Sequence, residues 1–273
     1  MTVDWRRHAT QRAAESFGPG IFRLDLKSPF EGAGIYYVEE TASTMDEIRR
    51  LADNGAAEGS AIVTEFQQAG RGRGGGKSWQ APRGSSLLFS YWLGPRLLPL
   101  PASTLPLRTA IGVSAALARS LSIETRVKWP NDILCGGRKL CGILCETKGE
   151  RSYVGIGMNC NQEGFPDELA ARATSLRLCS GAPVELPLLL EALLQDIRKA
   201  YAAVDWQREM EELLYGRGAV VTVRNPLERE GHAGARAERI VGRVAGVGEA
   251  GELLLVDEQG RIHALVGGDQ GLP

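Results

Sequence analysis

The chain has 273 residues, a formal net charge of −1 and a hydrophobic content of 43%. That length is enough for one large domain and one small one, and the near-neutral balance supplies no basic field of the kind that draws nucleic acid. There is no apolar run of membrane-spanning length and no signal-peptide core, and the five cysteines include no Cys-x-x-Cys pair, so the expectation is a cytoplasmic protein with reduced core thiols rather than disulfides or a metal site.

Residues 1–34 are polar and loosely patterned, and Gly18-Pro19-Gly20 interrupts whatever precedes it, so this segment reads as an N-terminal extension. Ile35 to Glu39 reads as a strand. Thr44 with Glu47 forms a capping box for a helix whose apolar stripe is Met45, Ile48, Leu51 and Ala52, closed by Asn54-Gly55. A β-rich run from Ala61 to Phe66 then feeds Gln67, Gln68 and an alternation of glycine and arginine: Gly70, Arg71, Gly72, Arg73, Gly74, Gly75, Gly76. A second apolar run, Leu87 to Leu93, follows. Glycine lets backbone N–H groups crowd around an anion, and arginine adds planar forks that grip phosphate or carboxylate. A flexible linker would need no arginine at every second position. The formal match to a dinucleotide fingerprint fails, because Lys77 to Gly84 has no helical period and contains a proline. The loop reads as a pocket for a phosphorylated small molecule.

Ser103 to Leu121 has the pattern of a helix with proline in its first turn. Lys128-Trp129-Pro130-Asn131-Asp132 crowds polar groups at the end of a strand, which by itself is also ordinary turn chemistry. Gly136-Gly137 suits a two-residue hairpin leading into a strand from Arg138 to Glu146, with Leu140, Gly142, Leu144 and Glu146 on one face and Cys141, Ile143 and Cys145 on the other. Lys139 at its start is either an edge lysine or a functional cation. The strand Tyr153 to Asn159 carries Gly155 and Gly157, and strand glycines mark close approach of something bulky. Helical patterns run from Pro187 to Val204 and Trp206 to Leu214. Beyond Gly218 the chain reads as short strands at Val220–Arg224, Arg239–Val247, Glu252–Asp257 and Arg261–Val266.

Five segments together resemble the biotin–protein ligases: the Gly-Arg-Gly-Arg loop, Lys-Trp-Pro-Asn-Asp at 128–132, Lys-Leu-x-Gly-Ile-Leu-x-Glu at 139–146, Val-Gly-Ile-Gly-x-Asn at 154–159, and Ala-Thr-Ser-Leu at 173–176. The resemblance covers roughly residues 35 to 269. It departs at Met45, where the family has asparagine, and between Gly75 and Trp79, where this loop is one residue longer. Some members carry a winged helix-turn-helix at the N-terminus; residues 1–34 are too short for one, so a monofunctional type that binds no DNA is expected.

The resemblance implies an α/β (α+β) fold: a mixed β-sheet backed by helices over residues 35–215, then a small SH3-like β-barrel over 216–273. It implies activation of biotin as biotinyl-5′-AMP and its transfer to a lysine of a biotin carboxyl carrier protein, by a monomer or homodimer. Lys139, Arg71 and Arg73 would be catalytic. Biotin would be met by Ser43, Thr44, Met45, Gln67, Arg71, Gly72, Arg73, Lys139, Gly142, Gly155 and Gly157. ATP would be met by Arg73, Lys77, Trp79, Lys128, Asn131, Asp132 and Asn159, with Mg²⁺ near Asn131 and Asp132. The alternatives are a lipoate–protein ligase or octanoyl transferase sharing the core, or an adenylate-binding sensor without turnover.

Overall fold

The structure, a computed structural model, describes residues 5–12, 17–73, 78–98, 101–225 and 238–270. A 3-10 turn at Trp5–His8 leads into β1 (Ala9–Arg12), β2 (Phe22–Leu24), β3 (Ile35–Thr41), α1 (Thr44–Asp53), β4 (Ala61–Gln67) and β5 (Ser86–Leu93). Next come α2 (Leu105–Leu121), β6 (Arg126–Lys128), β7 (Asp132–Cys135), β8 (Arg138–Lys148) and β9 (Arg151–Asn159). After α3 (Asp167–Ala170), α4 (Leu176–Ser180), α5 (Leu186–Ala202) and α6 (Trp206–Leu213), the chain ends in β10 (Val220–Asn225), β11 (Glu238–Val247), β12 (Leu253–Val256), β13 (Ile262–Leu265) and β14 (Asp269–Gln270).

Strands β1 to β9 form one mixed sheet in the order β1-β2-β3-β4-β5-β9-β8-β7-β6, in which β3 and β4 are the parallel pair. Because side chains alternate along a strand, each strand divides its residues between two layers. Tyr37, Val63 and Val154 join the core built with α2 and α5, while Tyr36, Ile62 and Tyr153 pack with Met45, Ile48 and Leu51 of α1. The expected mixed sheet backed by helices is therefore present, with helices on both faces. Gly112 lets α2 and α5 approach closely: a Cβ there would lie 2.4 Å from Ile197 Cα. The hairpin between β7 and β8 turns at Gly136 and Gly137, both at positive φ (56° and 75°), as that two-residue turn demands.

The last five strands form a separate antiparallel sheet in the order β13-β12-β11-β10-β14. Its contacts with the larger sheet's domain include Gln207 Nε2 of α6 donating to the Val247 carbonyl at 3.2 Å and two further hydrogen bonds. Trp129 Nε1 donates to the Gly251 carbonyl at 3.0 Å, and Arg73 Nη2 donates to the Gly268 carbonyl at 2.6 Å.

Local details differ from expectation in three places. The N-cap of α1 is Ser43, not Thr44: Ser43 Oγ accepts from the Met45 N–H at 3.3 Å, and Glu47 instead accepts from the Thr41 hydroxyl at 3.0 Å. The N-terminal segment is more than an appendage, since β1 and β2 extend the main sheet and buried Trp5 stacks on Tyr37 with centroids 6.2 Å apart. The C-terminal sheet gains β14, which pairs with β10.

Candidate active site

On the α1 face of the main sheet, β8 and β9 lie side by side with Gly142 opposite Gly157 and Leu144 opposite Gly155. The missing side chains leave a trough, and two large side chains occupy it. Met45 lies over Gly155, where a Cβ would meet its Sδ at 2.9 Å. The Trp79 indole lies over Gly157, where a Cβ would meet Cε2 at 2.6 Å, and over Gly142, where Cζ3 would be 3.1 Å away. About 60 Å³ of open volume remains, far less than the roughly 300–1,000 Å³ of pockets that hold small molecules. Trp79 therefore closes the trough and must move for a bicyclic ligand to enter. Its Nε1–H is buried without a hydrogen-bond partner, an arrangement that costs on the order of 1–3 kcal/mol until an acceptor arrives.

One rim is the N-terminus of α1. The free N–H of Thr44 donates to Gln67 Oε1 at 2.8 Å, and the Thr44 hydroxyl lies 3.0 Å from the same oxygen and 2.8 Å from Ser90 Oγ. These hydroxyl and amide groups are the polar recognition elements at that end, in an otherwise apolar setting of Met45, Leu144 and Ile156. Ser90 escaped the sequence reading, although a serine inside the apolar run Leu87–Leu93 was the available signal.

The lining also carries three cations, Arg71, Arg73 and Lys139. Arg71 makes a two-pronged pair with Asp46, at 2.8 and 2.7 Å, and its hydrogen bonds hold the Asp46 carboxyl below the usual carboxylate range. Arg73 lines the cleft while reaching Gly268. Lys139 Nζ sits 2.7 Å from Asp132 Oδ1 and 5.7 Å from the Trp79 ring centroid, within cation–π range. The loop that carries the arginines is closed at its stem by Trp79 N–H donating to the Gly70 carbonyl at 2.9 Å and by a bridge between Arg71 and Ser78.

The eleven residues expected around the carboxylic acid, Ser43, Thr44, Met45, Gln67, Arg71, Gly72, Arg73, Lys139, Gly142, Gly155 and Gly157, all line this one cleft. Of the residues expected around the nucleotide, Arg73, Trp79 and Asn131 line it, and Asp132 adjoins it through Lys139. Lys128 lies outside the lining, paired with Asp132 across β6 and β7, and Lys77 lies outside the described residues. Asn159 is buried behind the floor. Its Nδ2 donates to the Thr174 carbonyl at 3.0 Å, and its Oδ1 accepts from Gln162 at 3.2 Å. That places Asn159 at one remove from the cleft, because Thr174 N–H in turn donates to the Lys139 carbonyl at 2.9 Å.

Among the described residues no group of three or more His, Cys, Asp or Glu side chains gathers as a metal cage. Asn131 Nδ2 is committed to the Ile143 carbonyl at 2.7 Å, and Asp132 faces Lys139. One amide oxygen and one carboxylate fit a Mg²⁺ that keeps several waters and draws its other oxygens from phosphate, the usual habit of that ion.

A profile of the biotin/lipoate A/B protein ligase family matches residues 37–163. A biotin–[acetyl-CoA-carboxylase] ligase of Mycobacterium tuberculosis is 28% identical over 92% of this chain and 95% of its own length. The bifunctional ligase/repressor BirA of Bacillus spizizenii is 36% identical over 66% of this chain, and the match spans 57% of that relative. Among solved structures, the biotin protein ligase from Aquifex aeolicus in complex with biotin and ATP superposes with a TM-score of 0.73 at 27% identity, covering 89% of this chain and 98% of that one. Residues 37–163 therefore carry a domain of the biotin/lipoate A/B protein ligase family, and the fold around it is similar to that of the biotin protein ligases.

Proposed function

We propose that this chain is a biotin–protein ligase. It joins biotin to ATP as biotinyl-5′-AMP and passes the biotinyl group to a lysine of a biotin carboxyl carrier protein. The carrying observation is that Arg71, Arg73 and Lys139 line the same glycine-floored cleft as Thr44, Gln67 and Met45. A bicyclic head fits the apolar and amide groups of the lining, and the carboxylate of the acid fits its cations. The names of the full-length mycobacterial relative and of the liganded Aquifex structure point the same way.

Two displacements follow. A carboxylate oxygen attacks the α-phosphorus of ATP, the bond from that phosphorus to the bridging oxygen breaks, and pyrophosphate leaves. The amine of the carrier lysine then attacks the acyl carbon, the bond to the phosphate oxygen breaks, AMP leaves and the amine loses a proton. Neither step needs a protein nucleophile; both need fixed positive charge and exclusion of water. Lys139 exchanges its contact with Asp132 for the reacting oxygens, and Trp79 covers the site. Mg²⁺ would neutralise phosphate charge, with Asn131 and Asp132 holding it or its waters. Domain limits near residues 35–215 and 216–273 suit this reading, the smaller SH3-like domain reaching the loop through Gly268.

The buried thioether at Met45, where the resembling family has asparagine, favours one competing reading: an acid with a less polar head, lipoate or octanoate. Pyrophosphate release measured with ATP and each acid in turn separates the two. Release with biotin alone supports the proposal; release with lipoate or octanoate but not biotin overturns it.

A further inference from the structure

The Asp46–Arg71 pair is unlike the other surface pairs on α1, because its arginine belongs to the loop that closes the cleft. Exposed ion pairs contribute little to stability, roughly 0–1 kcal/mol. Their geometry can still fix where a mobile segment sits. Here both terminal nitrogens of Arg71 meet both carboxylate oxygens of Asp46, which sets the orientation of the guanidinium as well as its position.

Several independent contacts favour Asp46 as an anchor. It stands in the first turn of α1, where a carboxylate is favoured by the helix N-terminus. Arg49 also donates to its Oδ1 at 3.1 Å while lying over the Tyr153 ring and pairing with Glu146 of β8. The root of the loop is already tied to the residues before α1: Gln68 N–H donates to the Thr41 carbonyl at 3.0 Å and Ala69 N–H to the Ala42 carbonyl at 2.9 Å. Past Gly70, Arg71 continues that tie through Asp46. The returning strand is registered on the outgoing one by the Arg71–Ser78 bridge and the Trp79–Gly70 hydrogen bond. The position of Arg71 therefore sets that of Trp79, which rests on Gly157.

We infer that Asp46 is a positioning residue for the ligase reaction, anchoring the glycine–arginine loop through Arg71 so that Trp79 and Arg73 are held over the nucleotide end of the cleft. This rests on the ligase reading above. Asp46 touches neither substrate; it acts through Arg71.

The test compares Asp46→Asn, Asp46→Glu, Arg71→Gln and the double variant Asp46→Asn/Arg71→Gln in adenylate formation. Asp46→Asn is expected to raise KM for ATP about tenfold, the loss of one charge-assisted bidentate contact, with a much smaller fall in kcat and an unchanged melting temperature. Asp46→Glu should restore most of the KM. The double variant should be no worse than Arg71→Gln, because both changes remove the same contact. Hydrogen exchange at residues 70–73 and 78–79 should quicken in Asp46→Asn. An unchanged KM, effects that multiply in the double variant, or tighter ATP binding in Asp46→Asn would overturn the inference, the last by showing that Asp46 competes with phosphate instead. Wild-type protein that makes no biotinyl adenylate would overturn the ligase reading itself, and the inference with it.

Discussion

Lys139 and Asp132 face each other across the β7–β8 hairpin, with ammonium and carboxylate 2.7 Å apart. The pairing keeps a cleft-lining cation oriented without burying it alone, since the lysine side chain is 39% exposed. Its backbone is held as firmly: Lys139 N–H donates to the Arg172 carbonyl at 2.7 Å, and its own carbonyl accepts from Thr174.

Lys139→Ala should therefore fold normally and lose adenylate formation by ~10²–10³-fold, the usual effect of removing one fixed charge from a transition state. Asp132→Asn should cost less, because it disturbs the lysine's orientation and leaves its charge. Biotinyl-adenylate formation by the purified variants checks both. A Lys139→Ala rate within about twofold of wild type, or ~0.4 kcal/mol, contradicts the role.

The floor makes a second prediction. Gly157→Ala puts a methyl 2.6 Å from the Trp79 ring, whereas Gly142→Ala puts one at 3.1 Å. The first should displace Trp79 and lower adenylate formation by at least about tenfold, because the added methyl narrows the trough that the acid must fill once Trp79 has moved; the second should do so more weakly. Tryptophan fluorescence, read against Trp79→Phe, follows the displacement directly. Equal activity in wild type and both variants would show that the acid does not use this floor.

Arg73 ties the loop to the C-terminal sheet through the Gly268 carbonyl. Removing that tie should let an activated anhydride escape before a carrier lysine arrives. Arg73→Gly is thus expected to form the adenylate yet label lysines of an unrelated protein across a dialysis membrane. A charge-assisted contact of ~1.5–3 kcal/mol corresponds to roughly ten- to hundredfold in residence time. Bystander labelling equal to that of wild type, with pyrophosphate still released, would assign retention elsewhere.

The cysteines predict an alkaline limit. Burial pushes the Cys141 thiol up and brings Cys160 to about 12. A raised thiol pKa means the folded protein keeps protons that the unfolded chain gives up above ~8.5. Stability from these groups is complete below that pH and declines as pH rises toward 12. Iodoacetamide at pH 8 should label Cys141 and Cys160 slowly in the folded protein and quickly in guanidinium. Labelling at the rate of a free thiol in the folded protein contradicts their burial.

Much of this was legible in the residues because strand alternation and turn chemistry are local. The Gly136-Gly137 turn, β5, β8 and β9 fall where their patterns place them. Capping was misjudged by one residue, since Ser43 and Thr44 are both good caps and the choice depends on Gln67 arriving from β4. Strands β1 and β2 are only four and three residues long, too short to show an alternation, and owe their place to Trp5 packing on Tyr37 and to β2 pairing with β3. Asp46 stands in the first turn of α1, and only the return of the loop past α1 gives it Arg71. Asn159 shows the opposite limit: the motif names the residue, yet its amide is spent inside the fold on Thr174 and Gln162.

The most direct measurement is mass spectrometry of the species bound after mixing wild-type protein with biotin, ATP and Mg²⁺, followed by addition of a biotin carboxyl carrier domain. Biotinyl-5′-adenylate should accumulate on wild type and be absent with Lys139→Ala, and it should vanish as one carrier lysine gains a biotinyl group and AMP appears. Biotin bound unchanged beside intact ATP, with no transfer to the carrier, would contradict the assignment and leave the chain a binding protein.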